Sequence, residues 1–102
     1  VGAIIAARFE RVPVILDGFP VCAAAAILYE ISPSSIDHCY VGHRSAELGH
    51  SKLLEKINKT PLIDFKMRLG EGSGAAMAMP IIMSAINIHN NTSTFEEADV
   101  PN

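Results

Sequence analysis

Apolar positions follow two different periods along this chain, and the switch between them marks out its elements. Residues 1–11 place Ile4, Ile5, Ala7 and Phe9 on a helical repeat with no capping residue ahead of them. Residues 12–16 are nearly continuously apolar, the pattern of a short parallel strand buried on both faces. Asp17-Gly18-Phe19 interrupts the run, and Pro20 sits where a first helical residue belongs. Residues 20–31 then predict a helix that is apolar nearly all round, hence buried, and Ser32-Pro33-Ser34-Ser35 ends it. A second strand is predicted over 36–42, a second loop at His43-Arg44-Ser45, and an amphipathic helix over 46–58. In that helix Leu53, Leu54 and Ile57 share a face, while Lys52, Glu55 and Lys59 stay in water. Residues 62–69 read as extended, with Phe65, Met67 and Leu69 alternating against Lys66 and Arg68. A glycine loop over 70–74 opens a last helix over 75–90, which Pro80 is expected to kink. Residues 91–102 form a polar tail without a period.

Strand, loop and helix in repetition predict an α/β layer around a parallel sheet. Two or three short strands do not complete such a sheet, so the remainder is expected from further chain or from a partner. An uncapped apolar helix at the start, without Met, points the same way: residues 1–102 read as one segment of a larger domain. Composition changes the picture little. Apolar residues make up 49% of the chain and Trp is absent, so the core is aliphatic and Ala-rich. The formal net charge of -3 removes any general attraction to nucleic acid or to an anionic membrane. The longest apolar run, residues 21–28, is far short of the roughly twenty residues a bilayer requires. No secretory signal is visible. Cys22 and Cys39 fall in apolar runs and read as reduced core cysteines of a cytoplasmic protein.

Three loops carry the candidate chemistry, and each follows a strand or extended run, the end at which open α/β sheets bind ligands. In the first, Asp17 is either an acceptor for a ribose hydroxyl or the cap of the following helix, and Gly18 lets a ligand approach the backbone. In the second, Ser45 opens the helix over 46–58, where free amides suit a phosphate, or it is an ordinary N-cap. His43 and His50 are seven apart, a spacing that matches no common metal-ligand pair, so no metal is expected. The third loop, Gly70-Glu71-Gly72-Ser73-Gly74-Ala75, overlaps the relaxed dinucleotide fingerprint through Gly70, Gly72 and Ala75. It lacks the strand that should follow its helix, and no Gly-Lys-Ser/Thr follows to make a P-loop. What remains is a carboxylate, Glu71, exposed between glycines at the opening of a helix.

At these residues the chain resembles a known family. Val14-Ile15-Leu16-Asp17-Gly18-Phe19, His43-Arg44-Ser45-Ala46-Glu47 with Gly49-His50, and Arg68-Leu69-Gly70-Glu71-Gly72-Ser73-Gly74-Ala75 are similar to successive segments of nicotinate-nucleotide–dimethylbenzimidazole phosphoribosyltransferase. Thr94-Phe95-Glu96-Glu97-Ala98 resembles the family's ending. Leu48 departs from the Pro of many relatives, and residues 88–93 depart from the usual run into that ending. The likeness covers about the last third of the family's usual length.

The resemblance implies transfer of phosphoribosyl from nicotinate mononucleotide to dimethylbenzimidazole, giving α-ribazole phosphate for the lower ligand of cobalamin. It implies Glu71 as general base and Gly18 and Ser45 as mononucleotide contacts. Leu69 becomes a wall of the base pocket, with Asp17, Gly70 and Gly72 at the same site. It further implies a Rossmann-like three-layer domain with a smaller helical domain, a homodimer, and no cofactor. The segment alone is expected to be inactive, because the family's other portions supply most of the base pocket. Two other classes stay open: a non-catalytic nucleotide-binding module, and a structural fragment that associates through its sheet edge.

Overall fold

The computed structural model describes residues 1–101. Three short strands, β1 (Val14–Leu16), β2 (Cys39–His43) and β3 (Pro61–Ile63), form a parallel sheet in the order β1-β2-β3. Leu16 pairs with Val41, and His43 pairs with Ile63. The helices are α1 (Gly2–Phe9), α2 (Phe19–Ile31), α3 (His50–Lys56) and α4 (Ser73–Asn91), with a 3₁₀ turn at Pro33–Ile36.

Alternation along the strands sends Leu16, Cys39 and Val41 to one face. There they pack with Cys22, Ala25 and Leu28 of α2, Leu54 of α3, and Ile57, all buried. Ile4 of α1 closes this core, and its carbonyl bonds His38 Nε2 at 2.9 Å. The opposite face meets α4. Gly42 permits that approach: a Cβ there would lie 2.9 Å from the Cα of Ala75. Helices thus cover both faces of a parallel sheet, the α/β arrangement expected.

Several boundaries differ from the sequence reading, each for a physical reason. The buried helix over 20–31 is buried on one stripe only; Ile27 and Ile31 are 57% and 79% exposed, because no described element lies over them. The helix predicted over 46–58 begins at His50. Its N-cap is Gly49 in the left-handed region, and the preceding amides bond elsewhere. The extended stretch over 62–69 keeps strand pairing only through Ile63. Lys66 at φ 58° breaks the alternation, and Phe65 and Leu69 turn outward. The radius of gyration, 16.0 Å, exceeds the roughly 13 Å of a compact chain this long. The second half of α4 contributes to that excess, since every described residue from Met83 onward is exposed. Asn102, the last residue of the predicted tail, lies outside the described residues. Within the tail, Thr94 and Glu97 bond reciprocally through side chain and backbone and close one turn.

Candidate active site

The three loops singled out in the sequence converge at the carboxyl ends of the strands. They line a cleft of about 530 Å³ to which Asp17, Gly18, Ser45, Leu69, Gly70, Glu71 and Gly72 all contribute. Sequence reasoning also left out members of that wall, namely Pro20, Val21, His43, Glu47 and Arg68. Arg68 was read only as a polar position alternating with Phe65, Met67 and Leu69, and nothing in the sequence showed which way it lay. It makes no ion pair among the described residues.

Asp17 occupies the end of β1, and its carboxylate works on a distant helix. Oδ1 accepts the Ala75 N–H at 2.9 Å, and Oδ2 accepts the Gly72 N–H at 3.1 Å. Two of the amides that open α4 are satisfied there, and the negative charge complements the helix dipole. Of the two roles left open for Asp17, the cap of the following helix is absent: α2 begins at Phe19, its N-cap Gly18 has no side chain, and its first turn has no acid. Asp17→Ala should cost about 0.5–2 kcal/mol, the usual worth of a cap, read as a lower urea midpoint. Asp17→Asn should lose less, because its carbonyl oxygen still accepts one amide.

Glu71 stands in an unusual backbone. Gly70, Glu71 and Gly72 all lie in the left-handed region, at φ 75°, 57° and 78°. For the two glycines this conformation is free of penalty, whereas for Glu71 it costs about 1–2 kcal/mol. The turn lifts the Glu71 side chain into the cleft and leaves it exposed to solvent.

Ser45 departs from its expected place. It lies five residues ahead of α3, so it is not that helix's N-cap. The amides around it are engaged: Ser45 N–H donates to His50 Nδ1 at 2.9 Å, Ala46 N–H to the Met67 carbonyl, and Glu47 N–H to Ser45 Oγ. The Ser45 hydroxyl is engaged as well, donating to Glu47 Oε2 at 3.4 Å, so an anion here must displace that carboxylate to reach the hydroxyl and finds no nest of free amides. The uncapped amino end of α2 is nearer in character to the expected phosphate site, since Gly18, Pro20 and Val21 border the same cleft. A Cβ on Gly18 would meet only His43 Nε2, at an ordinary 3.7 Å. The fold itself thus leaves room there for a ligand.

Two histidines lie beneath this surface. His43 is 1% exposed, and its Nδ1 finds no partner. Gly74 packs against its ring so closely that a Cβ would overlap it. His50 is fully buried, and burial, followed by the charge of His43, holds its pKa below the ordinary 6.5. Burial foremost, then Asp17, pushes the Cys22 thiol up to about 12, so it stays protonated. Both cysteines are free and buried, as their apolar settings predicted. Among the described residues no cluster of three His, Cys, Asp or Glu is placed to hold a metal ion, and no helix is long and apolar enough to cross a membrane.

Comparison with known proteins accords with this geometry. A family model described as phosphoribosyltransferase matches residues 1–100. Nicotinate-nucleotide–dimethylbenzimidazole phosphoribosyltransferase of Brucella anthropi is 58% identical over 99 residues, and that of Methylocella silvestris 54% identical over the same length. Each match covers 97% of this chain but 29% of the relative, so the chain spans less than a third of these proteins. The crystal structure of the Thermus thermophilus enzyme of that name superposes with a TM-score of 0.89 at 40% identity, over 99% of this chain and 30% of the other. A match along nearly its whole length, in sequence and in fold alike, shows that the chain belongs to the family of nicotinate-nucleotide–dimethylbenzimidazole phosphoribosyltransferases.

Proposed function

We propose that this segment is the carboxyl-terminal part of a longer enzyme and supplies one wall of its active site. That enzyme transfers phosphoribosyl from nicotinate mononucleotide to dimethylbenzimidazole, and Glu71 acts as its general base. The observation that carries the reading is the convergence of residues 17–18, 45 and 69–72, far apart in sequence, on a single cleft. The reaction breaks the bond between the ribose anomeric carbon and the cationic nicotinate nitrogen, so the departing base leaves neutral and needs no acid. A benzimidazole nitrogen forms the new bond with its lone pair. The proton on its other nitrogen becomes acidic as that bond forms, and one carboxylate suffices to take it. Glu71, exposed in the cleft, has the chemistry for this task. Arg68, the Ser45 hydroxyl and the amino end of α2 suit the mononucleotide's phosphate and ribose, and Leu69, 74% exposed, suits the flat apolar base. Asp17 retains lone pairs for a ribose hydroxyl while it caps α4.

A homodimer belongs to the same reading. Met77, Met79, Ile81, Met83, Ile86 and Ile88 of α4 are all exposed, apolar area for the rest of the longer chain or a second subunit to cover. The two free buried cysteines support a cytoplasmic setting. Ser45→Ala in the full-length protein tests the assignment. Nicotinate mononucleotide binding should weaken by about 0.5–1.5 kcal/mol, the worth of one neutral hydrogen bond, with dimethylbenzimidazole binding little changed. Gly18→Val, which fills the space beside His43, should weaken it further. Unchanged mononucleotide affinity in both variants would return the cleft to a purely structural role.

A further inference from the structure

The buried pair beneath the Ser45 loop has a defined protonation pattern that the proposed chemistry does not use. Ser45 N–H can only donate, so His50 Nδ1, 2.9 Å away, must be the acceptor. The proton of the neutral ring therefore sits on Nε2, which points at Cys22 Sγ 3.4 Å away. Sulfur is a weak acceptor, and the Phe19 ring closes the remaining side edge-on, its centroid 6.1 Å off. His50 is thus the link between α2, which borders the cleft, and the loop that carries Ser45 and Glu47 into it. The same loop has no helix to brace it, because α3 starts only at His50 itself.

We propose that His50 is a positioning residue of the mononucleotide subsite: as the neutral Nε2–H tautomer it holds the Ser45 loop against α2, and a proton at Nδ1 releases that loop. The functional half of this inference rests on the transferase reading above; the latch itself rests on the geometry alone. The groups facing the ring are Cys22 and Phe19 from α2, His43 from β2, and Arg44 and Glu47 from the loop. Cys22 is a neutral thiol. Glu47 favours a proton on His50, whereas burial, His43 and Arg44 oppose it more strongly.

The pH consequence follows from the direction of that shift. Below about 6.5 the unfolded chain binds a proton at His50 while the folded chain does not. Stability is therefore full above that value and declines as pH falls from it toward the lower folded pKa. As the folded ring finally takes its proton, Nδ1 becomes a donor facing the Ser45 N–H, and that bond is lost.

Two substitutions separate the latch from mere packing. Asn carries its Oδ1 on Cγ, where histidine carries Nδ1, so His50→Asn keeps an acceptor for Ser45. His50→Gln moves the amide outward toward Cys22 and leaves the Ser45 amide without a partner. In the full-length protein, His50→Gln should raise KM for nicotinate mononucleotide about 3- to 10-fold, the equivalent of one hydrogen bond. Both kcat and KM for dimethylbenzimidazole should stay near their original values, and His50→Asn should restore most of the loss. An unchanged KM in His50→Gln, or equal loss in both variants, overturns the proposal. Nitrogen NMR of the unmutated, ligand-free protein decides the latch even if the variants do not fold. An Nε2–H tautomer, with a Ser45 amide shift that collapses as His50 titrates, supports it; an Nδ1–H tautomer overturns it. If the unmutated protein shows no turnover with these substrates, the transferase reading falls, and the NMR result still decides the latch.

Discussion

Glu71→Gln in the full-length protein should lower turnover by about 10²–10⁴-fold, equivalent to roughly 3–5 kcal/mol of barrier. Substrate binding should be largely kept, because the amide preserves shape and hydrogen bonding yet accepts no proton. Backbone geometry adds a control. Glu71 sits at φ 57° between two left-handed glycines, so Glu71→Gly relieves about 1 kcal/mol of strain while removing the carboxylate. The expected pair of results is a protein at least as stable as the original and with no better turnover than the Gln variant. A residue retained for the loop's structure would behave in the reverse way, losing stability in both variants and little in the chemical step. Near-normal turnover in a folded Gln variant would end the general-base assignment.

Gly74→Ala should be the most damaging small substitution in the segment. The new methyl would fall on the ring of His43, which is itself buried beneath the cleft. Either the ring leaves its place or α4 moves off the sheet, and overpacking of this kind costs about 1–3 kcal/mol. Moving α4 also moves the loop that carries Glu71, so turnover should fall together with the unfolding midpoint. The double variant Gly74→Ala, His43→Ala provides the check. Removal of the ring makes room for the methyl, so the two losses should add to less than their sum. Full additivity would show that the two positions are not in contact.

Both variants bear on how much was legible without coordinates. The alternation of short apolar runs with helical repeats is a local signal, and it located three strands, the long helices and the three loops. The glycine loop over 70–74 was legible as space cleared around one carboxylate, whereas the left-handed backbone of Gly70, Glu71 and Gly72 came only with the coordinates. The false dinucleotide fingerprint could be set aside because its context, a strand after the helix, was also a matter of sequence order. Boundaries fared worse where a side chain intervened. Nothing in residues 45–49 shows that their amides are taken by His50, Met67 and Ser45 itself, which delays α3 to His50.

Sequence by itself determined the α/β order, the aliphatic core, and the set of residues from which a site can be built. These follow from periodicity, composition and turn chemistry, which act over a few residues. Tertiary structure decided the partners. Asp17 caps a helix whose bonded amides lie 55 and 58 residues away, rather than the one that follows it. His43 is sealed against Gly74, and His50 ties α2 to the Ser45 loop through Cys22, 28 positions earlier. Each of these contacts depends on which strands are neighbours and in what register, as with Leu16 on Val41 and His43 on Ile63. Register is settled by burying both faces of the sheet at once, a condition that no short window of sequence contains.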